Sequence, residues 1–206
     1  MLLTISYFPP IEYFALLARY SVVYMEACEN YQKQSWRNRC RILTANGVMD
    51  LNVPVVHENG TFSLPIKEIR VEYTTPWVLR TERAIESAYS SSPFFAYYRD
   101  ELFAILDSHP DTLWELNRRI IDFFCAKIGI ATQIQETTEY NPPCADYREL
   151  IHPKRVNTIM RDLGLERPYW QVFRDKFGFV PGLSIMDLLF NEGPESISWL
   201  LSRQER

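Results

Sequence analysis

Apolar and polar positions change rhythm about a third of the way along this 206-residue chain. Before residue 75 the apolar runs are short and many alternate with polar residues. Beyond it they recur at helical spacing. Residues 2–5 (Leu-Leu-Thr-Ile) read as a short strand, closed by Pro9-Pro10, which force an extended turn. Ile11, Phe14, Ala15 and Ala18 make the i, i+3, i+4, i+7 stripe of a helix over 11–19. Residues 22–26 read as a strand. Residues 36–44 form another, turned by Asn46-Gly47 into an antiparallel partner over 48–56, with Pro54 marking a break or an edge. Residues 66–73 alternate Ile66, Glu68, Arg70 against Lys67, Ile69, Val71 and predict one more strand.

Thr75-Pro76 and Ser92-Pro93 each set a hydroxyl before a proline, the signature of a helix start. The first of these helices is expected to run to about residue 90 and the second to about 108. Asp111 is expected to cap a third, in which Leu113, Leu116, Ile120, Phe124 and Ile128 recur until Gly129 stops it. A strand over 131–135, a short helix over 154–163 and two closing helices complete the reading. The fold class is therefore α/β: an N-terminal mixed sheet with an Asn-Gly hairpin, then a helical C-terminal half. One domain over 1–206 is expected, and Asn141-Pro142-Pro143 marks the one place for a sub-domain break.

The chemistry is densest in the hairpin strand. As a strand, residues 36–42 would project Arg37, Arg39 and Arg41 from one face at spacings of ~6.6 Å. Three guanidiniums together repel unless an anion or carboxylates lie between them, and the guanidinium fork pairs with phosphate or carboxylate in bidentate fashion. A solvated face paired with some of the 26 acidic residues explains the same pattern. Both readings stay open at this point.

Composition narrows the field. A net charge of −4 and a pI near 5.5 argue against a general nucleic-acid binder. No apolar run is long enough to span a bilayer and the N-terminus lacks a basic leader, so no membrane insertion and a cytoplasmic location are expected. Cys28, Cys40, Cys125 and Cys144 are scattered, and His57, His109 and His152 fit no ligand spacing, which predicts no metal site. The seven glycines are too dispersed to cradle a cofactor's phosphates, and none is expected. His57 is the histidine nearest the arginine strand and a candidate base.

Three segments, in this order, resemble the WbqC-like protein family. Tyr7-Phe8-Pro9-Pro10-Ile11-Glu12-Tyr13-Phe14 is similar to its N-terminal aromatic-proline motif. Residues 33–42 (KQSWRNRCRI) are similar to K-x-x-W-x-N-R-x-R-I, and residues 179–194 (FVPGLSIMDLLFNEGP) to its closing F-I-P-N-L-S-I-x-D-L-L-F-N-x-G-P. The resemblance implies a transferase of bacterial surface-polysaccharide (O-antigen) biosynthesis, modifying an amino sugar or nucleotide-linked sugar with a small acyl or aminoacyl group. A non-catalytic binding or assembly protein of the same pathway is the alternative. The partner implied is an anionic small molecule such as a nucleotide sugar, with a homo-oligomer allowed. The chain departs from the family pattern at Thr4-Ile5 (usually Gln-Pro), Glu12 (usually Gly) and Ala27-Cys28 (often two Asp), and is shorter between 140 and 169.

Residue by residue the resemblance implies substrate contacts from Tyr13, Lys33, Asn38, Arg39, Arg41 and Asn191; Arg37 lies outside the family pattern. Asp187 and Glu29 are the candidate catalytic carboxylates. Each has a structural reading beside it. Ser184 and Asp187 have capping-box spacing, and Asn191 and Gly193 suit a helix end on backbone grounds. Glu29 and Lys33 stand at i, i+4, an ordinary helical ion pair if that stretch were helical. One geometric expectation joins the set: Arg39 and Arg41 share a concave pocket with the closing helix.

Overall fold

The computed structural model describes residues 1–56, 63–156 and 158–201. Strands concentrate at the front and helices behind, but the strands divide between two sheets. The first sheet is wholly parallel. Its order is β1 (Leu2–Leu3), β2 (Val22–Met25), β5 (Gln133–Glu136), with Leu2 beside Tyr24 and Val22 beside Gln133. The segment after Pro143 extends its edge, because Leu2 N–H donates to Ala145 O and Tyr147 N–H donates to Leu2 O, both within 3.0 Å. The second is the Asn-Gly hairpin, β3 (Arg39–Thr44) against β4 (Gly47–Asn52), with Arg41 opposite Asp50. Gly47 takes φ +102 at its turn, a conformation that suits glycine.

The helices are α1 (Ile11–Leu17), α2 (Trp77–Tyr89), α3 (Phe95–Asp107), α4 (Leu113–Ile128), two single turns α5 (Ile159–Asp162) and α6 (Arg174–Phe177), then α7 (Ile185–Glu192) and α8 (Ser196–Leu201). One contiguous core runs from Met1 to Leu200 through them. Its centre is aromatic: Phe8 and Phe14 both meet Phe124 edge-on at about 6 Å, the arrangement that ring quadrupoles favour.

Several expected elements move, each for a local reason. Strand β3 starts at Arg39, and residues 36–38 are turn. Their carbonyls are engaged elsewhere: Trp36 O accepts from Tyr7 N–H, Arg37 O from Asn117 Nδ2, Asn38 O from Val53 N–H. Arg37 therefore does not share a strand face with Arg39 and Arg41. Ile66–Glu68 is a single 3₁₀ turn, because Ile66 and Ile69, both under 2 % exposed, bury at a spacing of three. Beyond it only isolated bridges form, Val55 with Val71 and Arg70 with Thr112. The Ser/Thr-Pro starts slip as well. Neither Thr75 nor Ser92 caps its helix; α2 begins after Pro76 and α3 after Phe94 with no side-chain cap. Thr112, not Asp111, caps α4, accepting from Glu115 N–H at 3.2 Å, and Gly129 ends it in the left-handed conformation.

The three sequence segments that resemble the WbqC-like pattern converge through the backbone. Ile185 N–H donates to Pro9 O, Ile11 N–H to Leu183 O, Ser184 N–H to Arg41 O and Tyr7 N–H to Trp36 O, at 2.8–3.1 Å. Residues some 170 positions apart are stitched into one knot, which holds the start of α7 against the hairpin.

Candidate functional site

A cleft of about 430 Å³ opens between the hairpin, the turn before it and the start of α2. Lys33, Asn38 and Arg39 line it together with Tyr31, Trp77 and Arg80; Gln34, Asn52 and Thr75 add neutral polar groups. No carboxylate is among the described lining residues, while three cations are. Charge of one sign collected in a concavity concentrates field there and attracts anions.

Arg39 enters from β3, about a quarter exposed. Its Nη1 is 3.7 Å from Asp50 Oδ2, a distance that leaves only a weak pairing, and its buried Nε has no partner. Asn38 donates from Nδ2 to Val53 O at 3.1 Å, which fixes the amide, while its buried Oδ1 is unpartnered. Trp77, 5 % exposed at the first position of α2, likewise keeps an unpartnered Nε1. One turn on, Arg80 is exposed and forms no ion pair among the described residues. Two unmet donors and one unmet acceptor are therefore buried in the wall of this cleft, next to its cations.

The remaining sequence candidates lie elsewhere. Arg41 sits beside the cleft without lining it: Nε is 3.2 Å from Asp50 Oδ1 and Cζ lies 5.4 Å over the Trp36 ring. Tyr13 is 1 % exposed and donates from its hydroxyl to Thr4 O at 2.9 Å. Asn191 donates from Nδ2 to Asp187 O at 2.7 Å, one helical turn back. His57 falls outside the described residues.

Asp187 is fully enclosed. Its carboxylate does not complete a capping box: Ser184 Oγ accepts from Met186 N–H, whereas Asp187 Oδ2 accepts from Tyr169 Oη at 2.5 Å and Gln171 Nε2 at 2.8 Å. Burial pushes its pKa up to about 6 against those donated bonds. Tyr169 also lines a second, largely apolar cavity of about 640 Å³ bounded by Ile11, Met160, Leu165, Phe179 and Trp199. Neither cavity is lined by both Arg39 and a residue of the closing helix α7.

Glu29 belongs to a third place, at the carboxyl ends of the parallel strands. Arg37 clamps it in bidentate fashion, Nε to Oε1 at 2.8 Å and Nη2 to Oε2 at 2.6 Å, both side chains 4 % exposed. Burial raises the Glu29 pKa, and the Arg37 bonds oppose that rise. Next to it Glu26, with no exposed surface, accepts from Cys28 N–H, Thr137 Oγ1, Asn141 N–H and Arg148 Nη1. Arg148 reaches in from the segment that caps the sheet edge, pairing Asp146 at 2.7 Å and covering Tyr140. This end of a parallel sheet is where α/β proteins often bind ligands. Here the chain's own guanidiniums fill it.

Sequence reasoning missed Arg80 and Trp77 as cleft residues. An arginine on an exposed helix face has no spacing that sets it apart, and Trp77 fits the helix's apolar stripe; only the packing of α2 on the hairpin makes them neighbours of Arg39. Among the described residues no cluster of His, Cys, Asp and Glu could hold a metal ion, and no helix is long and apolar enough to cross a membrane.

A mixed α/β chain with a parallel sheet, an arginine hairpin and a cationic cleft beside it is the class of protein defined so far. The chain belongs to the WbqC-like protein family, whose model matches residues 6–169. That span contains the aromatic-proline and arginine segments, and the closing segment 179–194 lies beyond it. A relative from Mycobacterium tuberculosis, "Uncharacterized protein Rv1507c", is 29 % identical over 222 aligned positions, covering 95 % of this chain and 94 % of the relative. No solved structure matches.

Proposed function

We propose that this protein binds an anionic sugar derivative, a sugar phosphate or a nucleotide-linked amino sugar, in the cleft of Lys33, Asn38 and Arg39, and transfers a small acyl or aminoacyl group to it. One observation carries the binding half: three cations and no described carboxylate share one concavity. The transfer half, and a place in bacterial surface-polysaccharide assembly, is supported by the resemblance of its sequence segments to the WbqC-like pattern. Arg39 would grip the anion, Asn38 orient a sugar hydroxyl or amine, and Tyr31 offer a ring face to the sugar. Arg41 would keep Asp50 occupied and so leave Arg39 freer for ligand. Tyr13 and Asn191 would support the site indirectly, through the strand and helix they brace.

Asp187, pushed up to about 6, has an acid–base range suited to neutral pH. Acting as a base would require Tyr169 and Gln171 to move aside, and Glu29 would have to leave Arg37. A second reading, a non-catalytic binding protein of the same pathway, has an observation in its favour. The described cleft lining contains no carboxylate, imidazole or thiol to move a proton.

A thermal-shift screen against sugar phosphates, nucleotide sugars and acyl or aminoacyl donors tests the proposal. A ligand at 100-fold its dissociation constant stabilises by about 2.7 kcal/mol, and Arg39→Ala should cut that response by about half or more. Product formed from donor and acceptor together supports transfer. Binding without product supports the second reading, and silence towards every anion contradicts both.

A further inference from the structure

We infer that the cleft recognises a diphosphate at two points, with Arg39 and Arg80 each taking one phosphoryl group, so that its ligand class is the nucleoside diphosphate or its sugar-linked form. This deepens the function proposed above and rests on it. The two guanidiniums come from different elements, β3 and the first turns of α2, and line the same cavity. Arg39 has one nitrogen, Nη1, turned to an Asp50 that Arg41 holds more closely, 3.2 Å against 3.7 Å. Its Nε is unpartnered but buried, so the Nε–Nη2 edge, the side-on bidentate face of a guanidinium, meets a ligand once the side chain turns outward. Arg80 has no ion pair among the described residues. Because the two guanidiniums come from separate elements of one cavity wall, two linked phosphoryl groups give each fork its own partner.

The neutral atoms fix what lies beside the diphosphate. Trp77 Nε1 is a donor without a partner, and Trp77 is 95 % buried at the cleft wall, where leaving a polar N–H unmet costs about 1–3 kcal/mol. Asn38 Oδ1 is an acceptor, held in place by the Nδ2 bond to Val53 O. Both atoms are buried in the cleft wall, so a ligand carrying an acceptor for Trp77 and an N–H or O–H for Asn38 meets them as that wall opens around it. A nucleobase edge or an amino sugar offers both, and phosphate alone offers no fixed donor.

Calorimetric titration of the full chain with a nucleoside diphosphate, the matching monophosphate, pyrophosphate and phosphate tests this. The diphosphates should bind at least tenfold more tightly than their one-phosphate counterparts. Arg80→Gln, on an exposed helical position where folding is spared, should shrink that ratio to under threefold, weakening diphosphate binding more than monophosphate binding. Equal binding of mono- and diphosphates by the unmodified chain overturns the two-point reading while anion binding itself stands. An unchanged preference in Arg80→Gln overturns the role of Arg80. Failure of every anion to bind removes the proposed function with it.

Discussion

Arg37 and Arg39 stand two residues apart and meet opposite fates. Arg37 is turned inward, Nε and Nη2 held by Glu29 and Nη1 donating to Gln32 Oε1; Arg39 lines a cleft, with an unpartnered buried Nε and a distant carboxylate. The difference comes from the backbone. The turn at 36–38 aims Arg37 at the sheet's carboxyl edge, and strand geometry begins only at Arg39. The lesson is that a run of arginines is not one site. A guanidinium inside a satisfied network stabilises, and one with unspent donors beside a cavity is the one proposed for binding.

The largest expected effect lies on the inward side. Arg37→Ala leaves Glu29 buried with its bidentate partner gone and only Arg148 Nη1, 4.0 Å away, beside it, a change that costs about 3 kcal/mol. Chemical denaturation should show it as a large drop in midpoint, and a loss under 1 kcal/mol would break the contrast drawn here.

Asp187 extends the comparison to a buried group without a cation. Folded Asp187 keeps its proton up to about pH 6, while an unfolded aspartate loses it near pH ~4. The folded state thus holds more protons between those values, so stability falls as pH rises through that window. Asp187→Asn removes this titration. The variant's stability relative to the parent should improve by up to about 3 kcal/mol on going from below pH 4 to above pH 6. Glu29, also raised, adds a slope of the same sign to both proteins, so the difference between them isolates Asp187. A constant difference across the window would contradict the enclosed carboxylate.

Arg148 is intermediate, 9 % exposed and shared among Glu26, Asp146 and Asn141. Arg148→Ala should cost about 1–3 kcal/mol, because Glu26 loses one charged donor but keeps Thr137 Oγ1 and two backbone amides. Faster amide exchange over 140–148 would accompany it if Arg148 pins that segment. The smallest effect on folding belongs to Arg39→Ala: a partly exposed pair with Asp50 contributes at most about 1 kcal/mol.

How far the sequence reveals these roles depends on the range of the interaction. The hairpin, α4 with its Gly129 stop and the strand after it were legible because local turn chemistry and periodicity specify them. The strand expected over 66–73 was not. Alternation there is also satisfied by Ile66 and Ile69 one 3₁₀ turn apart, and only Pro65 hints at the choice. Half of the cleft was visible as Lys33, Asn38 and Arg39 within one motif. Arg80 and Trp77 reach it by a tertiary contact between α2 and β3 that leaves no pattern in the chain. Asp187 and Asn191 read as candidates for chemistry because their motif was intact. The structure gives that motif a large architectural share: Ser184 and Ile185 bond the hairpin and the Pro9-Pro10 turn, and Asn191 braces Asp187's own carbonyl.

Arg39 and Arg41 offer the most direct test, since both pair with Asp50 and only Arg39 lines the cleft. Pyrophosphate affinity should be measured for Arg39→Ala and Arg41→Ala side by side. Loss of a charged hydrogen-bonding partner worth about 1.5–3 kcal/mol predicts a fall of roughly tenfold or more for Arg39→Ala. Arg41→Ala should stay within about threefold of the parent. Equal losses in the two variants, or no loss in either, would contradict the assignment of the cleft as the anion site.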